Sequence, residues 1–285
     1  MATLAPASAP PLVQQFLEDA RVTVDRELDR RLAPPADDPG RLVAAMHYAA
    51  TGPGKRLRPA IVLAAAEACG GTRDAALPAA CAIEMLHAYT LVHDDLPAMD
   101  DDDERRGRPT VHIAFGEAIA ILAGDGLLTQ AFATLAELGP HAAPAVAVLG
   151  RRAGARELLM GQAIDLGVAG RLPSGPTPAL HHDLAAIERM HAAKTGALFA
   201  AAAELGAIAA GAPAATCAAL GRYGLAIGIA FQHADDRDDA ELLDLAAAAA
   251  ERMRVLCAEA RAELAPLRPR AAVLDALAAW MAARA

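Results

Sequence analysis

The chain has 285 residues, a formal net charge of −9 at neutral pH, and a composition that is 55% hydrophobic but only 3% aromatic. A negative balance of that size argues against nucleic acid as a partner, because a surface that binds nucleic acid is broadly basic. Abundant alanine with few aromatic residues favours close-packed helices over a β-sandwich, so the expected fold is all-α, one domain over residues 1–285.

Met1 to Pro11 is rich in alanine and proline and has neither a basic stretch nor an apolar core. It reads as a disordered lead-in rather than a signal peptide. A first helix is expected from Leu12 to Leu32, stopped by Pro34-Pro35, and a second from Asp38-Pro39 to Thr51, ended by Gly52-Pro53-Gly54. A third spans Leu57 to Ala68, and a fourth runs from Ala75 into an acidic cluster. The polar stretch Asp100 to Pro109 reads as a loop. Helices follow at Glu117 to Leu138, Ala142 to Leu166, Pro178 to Ala209, Ala214 to Asp239, Ala240 to Leu264 and Ala271 to Ala283. No segment alternates well enough for a strand.

Cys69, Cys81, Cys217 and Cys257 show no C-x-x-C pairing, which argues against zinc and against a disulfide framework and for buried reduced thiols. Gly206, Gly211, Pro213 and Gly221 interrupt the longest uncharged stretch, Leu205 to Gly221, so no stable membrane insertion is expected. The expected location is the cytoplasm.

Two aspartate clusters carry the chemistry: Asp94-Asp95 with Asp100, and Asp235-Asp236 with Asp238-Asp239. Each ends an apolar helix, where negative charge opposes the macrodipole and packed carboxylates raise one another's pKa. A hard divalent cation, Mg2+ above all, would compensate them while sharing its other positions with water and phosphate. Asp235, Asp236 and Asp239 share one helical face. Asp94 and Asp100 lie about 240° apart on a regular helix and meet only if the helix ends between them, a break that Pro97 supplies.

Basic groups stand beside the acids. Only Lys55 and Lys194 among the 26 basic residues are lysine. Gly54-Lys55-Arg56-Leu57-Arg58-Pro59 opens a helix, whose N-terminus favours an anion, and places Lys55 and Arg58 three apart on one face. Arg105-Arg106-Gly107 follows the first cluster, and Lys194-Thr195-Gly196 interrupts a long helix. Gly54-Lys55 lacks the spacing of a P-loop. His93-Asp94 resembles the pair of a helical metal-dependent phosphohydrolase, with His47 or His87 as a further ligand, but that reading leaves the second cluster and both lysines unexplained.

Together these residues resemble the trans-prenyltransferases, or polyprenyl diphosphate synthases, and most closely the bacterial farnesyl diphosphate synthases. The resemblance runs from about Arg41 to Asp239 and includes Gly161-Gln162-Ala163-Ile164-Asp165-Leu166 and Phe231-Gln232. It implies a large antiparallel helical bundle around a central cavity, of the isoprenoid synthase type, usually homodimeric. It implies Mg2+, three ions per site, held by Asp94 and Asp100 on one side and Asp235 with Asp239 on the other. Asp95 belongs to the same catalytic set. The allylic diphosphate would be bound by Arg105, Lys194, Thr195 and Gln232, and isopentenyl diphosphate by Lys55, Arg58, His87 and Arg106. Tyr89, with Thr90 beside it, would floor the cavity and set product length, most consistent with farnesyl diphosphate.

The implied reaction is head-to-tail condensation of isopentenyl diphosphate with dimethylallyl or geranyl diphosphate. The chain also departs from the family. The glycine-rich, lysine-bearing loop usually found after the second motif is missing, Arg237 stands at a position normally apolar, and Glu104 stands where leucine is common. The alternative is therefore a divergent subunit that binds diphosphate without turning it over.

Overall fold

Helix α10 (Ala197–Ala209) is buried along all 13 of its residues, and the architecture is what it takes to surround it. A helix buried on every side, its one charged residue Glu204 paired with Arg151 and Arg152, can only be stable in the middle of a bundle. In the computed structural model, which describes residues 9–171, 183–238 and 245–285, α10 is enclosed chiefly by α3 (Leu57–Ala68), α4 (Arg73–Asp94), α7 (Ala142–Ala153) and α11 (Ala214–Asp238). Small residues allow these helices to approach closely. A Cβ at Gly206 would lie 2.2 Å from the carbonyl of Val62 on α3, and one at Gly224 2.3 Å from that of Phe199 on α10.

Around this centre lie α1 (Pro11–Arg31), α2 (Leu42–Ala50), α5 (Val111–Phe115), α6 (Glu117–Leu135), α8 (Leu158–Val168), α9 (Leu184–His191), α12 (Ala246–Glu263) and α13 (Ala272–Ala282). The fold is all-α, as composition implied. Thr72 caps α4, its hydroxyl accepting from the Ala75 amide at 3.3 Å, and the helix then runs 22 residues to deliver Asp94 at its end.

Several boundaries differ from the sequence reading, each for a local reason. The second helix begins at Leu42, after a 3-10 turn over Pro39–Arg41 in which Gly40 and Arg41 have positive φ. The stretch expected as one helix from Ala142 to Leu166 is two, broken at Gly154, whose backbone is extended (ψ −176°). The polar loop contains a two-stranded ladder, Glu104–Arg105 with Arg108–Pro109, turning on Arg106 and Gly107 at φ 55° and 76°. Two successive positive φ values are what a type I′ hairpin turn requires.

Cys81 and Cys257 are buried free thiols, but Cys69 and Cys217 are only partly covered. Among the described residues, four helical stretches are long and apolar enough to cross a membrane by length and composition, although isolated charges interrupt them. Their apolar windows are 67%, 39%, 83% and 50% buried inside the bundle.

Candidate active site

The first aspartate motif is built by a helix that stops. α4 ends at Asp94, Pro97 follows, and the chain curls until the Asp100 amide donates to the Asp94 carbonyl at 2.8 Å and the Asp101 amide to that of Leu96 at 3.2 Å. Asp100 is thereby returned towards Asp94, as the spacing required. Burial pushes the Asp94 carboxyl up to about 7; Lys194 opposes the shift and Asp100 adds to it.

Asp95 points elsewhere. It is buried and accepts from Arg105 Nε at 2.5 Å, while Arg105 Nη2 donates to Asp102 at 3.1 Å. Asp95 therefore orients Arg105. The run from Asp101 to Glu104 is exposed.

The second motif lies at the C-terminal end of α11. Asp235 is half-buried, and its charge acts on Arg58. Asp236 is buried and turned inward: Oδ2 lies 3.1 Å from His191 Nε2, and Oδ1 accepts from Gln232 Nε2 at 2.9 Å. Burial works against its ionisation, but the His191 and Gln232 hydrogen bonds prevail and hold its pKa below the ordinary carboxylate range. Gln232 Oε1 in turn accepts from Thr195 Oγ1 at 2.9 Å, which joins two of the expected diphosphate ligands. Asp239 lies outside the described residues, as does the segment through 244 where the lysine-bearing loop is missing.

Lys194 and Thr195 sit in a single π-helical turn, Ala192–Gly196, between α9 and α10. One inserted residue of this kind re-aims side chains and is common at functional sites. Lys194 Nζ is paired with Asp165 on α8. A Cβ on Gly161 would meet the Lys194 backbone nitrogen at 2.3 Å, so the glycine of the Gly161-to-Leu166 motif is what lets α8 reach the turn.

Lys55 and Arg58 do not share a helical face. Arg56 is the residue before α3, in the left-handed region at φ 49°, so Lys55 precedes the helix that carries Arg58. Arg56, given no role by the sequence reading, is the anchor of the segment. Its Nε donates to Asp25 at 2.6 Å, Nη1 to Glu84 at 2.8 Å and Nη2 to the Gly52 carbonyl at 2.8 Å. All three guanidinium nitrogens are thus engaged, which holds the backbone in a conformation side chains seldom adopt. Asp25 comes from α1, so no local pattern could have paired it with Arg56.

Arg58 Nη1 lies 3.3 Å from His87 Nε2, its guanidinium covers the Phe199 ring at 4.8 Å, and its buried Nε has no hydrogen-bond partner among the described residues. Burial lowers its pKa to about 10, which leaves it cationic at neutral pH. Burial and then Arg58 push His87 well below the usual histidine range, so its ring is neutral. Arg106 donates to the Pro53 carbonyl at 2.7 Å, and Arg108 covers the Tyr48 ring at 4.0 Å. A cleft of about 70 Å³ opens here, lined among others by Arg56, Glu84, His87, Asp95, Arg105, Arg106 and Arg108. Arg106 and Arg108 in its lining make no ion pair with a carboxylate among the described residues, which suits the cleft to an anion.

Tyr89 is buried, packs edge-on against His93 with ring centroids 5.1 Å apart, and stands where Asp94 and Asp125 act on its hydroxyl. Thr90 returns its hydroxyl to the His87 carbonyl at 2.8 Å. His93 Nε2 lies 3.1 Å from the Ile121 carbonyl on α6, and His47 pairs with Asp29 at 2.6 Å. The histidines therefore do not gather around Asp94, and the phosphohydrolase reading loses its ligand set.

Lys194 is close enough to Asp94 to oppose its protonation, Asp235 acts on Arg58, and Arg58 touches His87 on α4. Each aspartate motif thus has a cation near its carboxylates, an arrangement suited to enzymes that act on diphosphates. A family model described as Polyprenyl synthetase matches residues 39–251. The farnesyl diphosphate synthase of Geobacillus stearothermophilus is 39% identical over 235 residues, covering 80% of this chain and 76% of that protein. Geranylgeranyl pyrophosphate synthase 7 of Arabidopsis thaliana is 41% identical over 203 residues, 70% of this chain and 57% of that one. Among solved structures, an FPP/GFPP synthase from Zymomonas mobilis superposes with a TM-score of 0.83 at 39% identity, covering 93% of this chain and 97% of that one. The chain belongs to the polyprenyl synthetase family: it is a prenyltransferase of isoprenoid biosynthesis with prenyl diphosphate synthase activity.

Proposed function

We propose that the protein condenses isopentenyl diphosphate head to tail with an allylic diphosphate, geranyl or dimethylallyl, in the presence of Mg2+, and releases farnesyl diphosphate. The observation that carries this reading is the pairing of Asp94 with Asp100 at the end of α4. The Asp94 carboxyl is pushed up to about 7, chiefly by burial, with Asp100 adding to the shift and Lys194 opposing it, so a cation brought in beside it would be stabilising. Two all-oxygen carboxylates at the mouth of an anion site suit a hard cation. Asp94 and Asp100 would hold Mg2+ on one wall and Asp235 on the other, three ions in all, with Asp239 as a further ligand. Bound there, the ions would neutralise the allylic diphosphate and so make it a better leaving group.

The chain's own groups do the rest. Arg105, fixed by Asp95, together with Lys194, Thr195 and Gln232 grips the allylic diphosphate. Lys55, Arg58, His87 and Arg106 grip isopentenyl diphosphate, whose double bond attacks the allylic carbon as its C–O bond breaks. A proton then passes to the departing diphosphate. The alanine-rich walls of α4, α10 and α11 keep water from the carbocation, and Tyr89 limits the tail to fifteen carbons.

Two copies pair across the exposed apolar residues Ile113, Ile121 and Leu122 of α5 and α6, which are 51%, 46% and 50% exposed. The test of the whole reading is incubation of purified protein with Mg2+, isopentenyl diphosphate and geranyl diphosphate, with products resolved by chain length. Farnesyl diphosphate is expected. Tight diphosphate binding without condensation identifies a non-catalytic subunit and overturns the reading.

A further inference from the structure

We infer that His191, His233 and Asp236 form a transition-metal site, suited to Zn2+, behind the second aspartate motif and separate from the Mg2+ ligands. One donor atom from each of the three lies within 4.8 Å of the others, and all three residues are buried, at 3%, 1% and 7% exposure. His233 and Asp236 are three apart on α11 and so share a face, and His191 comes from the last turn of α9. The two imidazole centroids are 5.0 Å apart at 74°. Two rings bound through nitrogen to one tetrahedral ion, at Zn–N of about 2.0–2.1 Å, have centroids roughly 5.2 Å apart. The rings already stand at that spacing, and small rotations bring the donors from 4.8 Å to the roughly 3.4 Å edge of the tetrahedron.

Among the described residues, hydrogen bonding accounts for only half of each ring. His191 Nε2 faces Asp236, and His233 Nε2 faces Glu188 Oε1 at 3.4 Å. Glu188 is itself held in place by Arg252, at 2.8 and 3.1 Å. Among the described residues the Nδ1 atoms of both histidines are buried with no hydrogen-bond partner, a costly condition that a metal bond to His233 Nδ1 relieves at that ring, while His191 Nε2 and Asp236 face one another at the same place. A carboxylate on the far nitrogen of an imidazole is also the usual support of a metal-bound histidine. Two nitrogens and one oxygen select zinc or its neighbours over Mg2+. The cysteine spacing that argues against a thiolate zinc site has no bearing on this one.

Cobalt titration of the reduced protein in excess Mg2+ tests the site, since Co2+ reports its ligands in its spectrum. One equivalent should give the intense visible bands of a tetrahedral nitrogen and oxygen site, with no thiolate charge-transfer band, and Zn2+ should bleach them. His191→Ala and His233→Gln should each lose the bands while circular dichroism stays native, and Asp94→Asn should keep them. Bands that survive both histidine substitutions, or that carry the thiolate signature, would overturn the inference. Zinc K-edge absorption on the unsubstituted protein decides the matter without any variant. Two imidazoles in the first shell support it, and a sulfur or all-oxygen shell refutes it.

Discussion

The Asp100 amide donates to the Asp94 carbonyl at 2.8 Å, so the first motif is a closed turn that holds two carboxylates six positions apart in sequence at one end of α4. Its charge is a liability to the metal-free protein and an asset to the enzyme. Asp94→Asn is expected to lower kcat by about 10²–10³-fold, the scale for loss of one group acting on transition-state charge, while raising the melting temperature of the metal-free protein. Steady-state kinetics and calorimetry on the same preparation check both halves; a variant that is inactive and also less stable contradicts the placement.

The pH dependence follows from the same group. An acid whose folded pKa is raised from the ordinary range to about 7 binds a proton in the native state that the unfolded chain has already lost. Its stabilising contribution is therefore complete below about pH 4 and disappears as pH rises through about 7. Mg2+ needs the deprotonated form, so binding should release a proton and weaken by up to about tenfold per unit below pH 7. Titration calorimetry at pH 6 and pH 8 in buffers of different ionisation enthalpy measures both.

Arg56 and Glu84 form a buried pair at 2.8 Å, with side chains 4% and 7% exposed. Removing one partner strands the other charge, so Arg56→Ala should cost about 3–5 kcal/mol in urea denaturation. Asp25→Asn is milder, because Asp25 is 33% exposed. It should loosen the turn that carries Lys55 and raise the KM for isopentenyl diphosphate several-fold, leaving the allylic KM unchanged. Restoration by Asp25→Glu separates positioning from a loss of stability.

Tyr89→Ala removes a buried ring beside His93 and should yield products longer than fifteen carbons. Radio-chromatography of the prenyl alcohols reads the distribution, and an unchanged profile removes Tyr89 from length control.

Ile121→Asp with Leu122→Asp should convert the proposed dimer to a monomer in sedimentation velocity. The Ile121 carbonyl meets His93 Nε2, one residue before Asp94, so kcat should fall as the dimer is lost.

The sequence disclosed most of the helices because their ends are chemically marked: Gly52-Pro53-Gly54, Gly70-Gly71 and Pro97 each fall where a helix stops. It disclosed the carboxylates and lysines because clustered acids and rare lysines at helix ends are conspicuous in an alanine-rich chain. The break at Gly154 was hidden because one glycine inside an apolar period weakens a helix without ending it. The hairpin at Arg106-Gly107 was hidden by its two-residue strands. The partners of Arg56, Lys194 and His233 were illegible for another reason: Asp25, Asp165 and Glu188 arrive from other helices, and only the packing of the bundle brings them within reach.

The central claim is that both aspartate motifs act on one diphosphate. Crystals grown with Mn2+ in place of Mg2+ and a non-hydrolysable geranyl diphosphate analogue test it directly, because anomalous scattering locates every ion. The account predicts ions against Asp94 and Asp100, another against Asp235, and a single diphosphate bridging them. Ions confined to one motif, or a diphosphate bound without contact to the other, would contradict it.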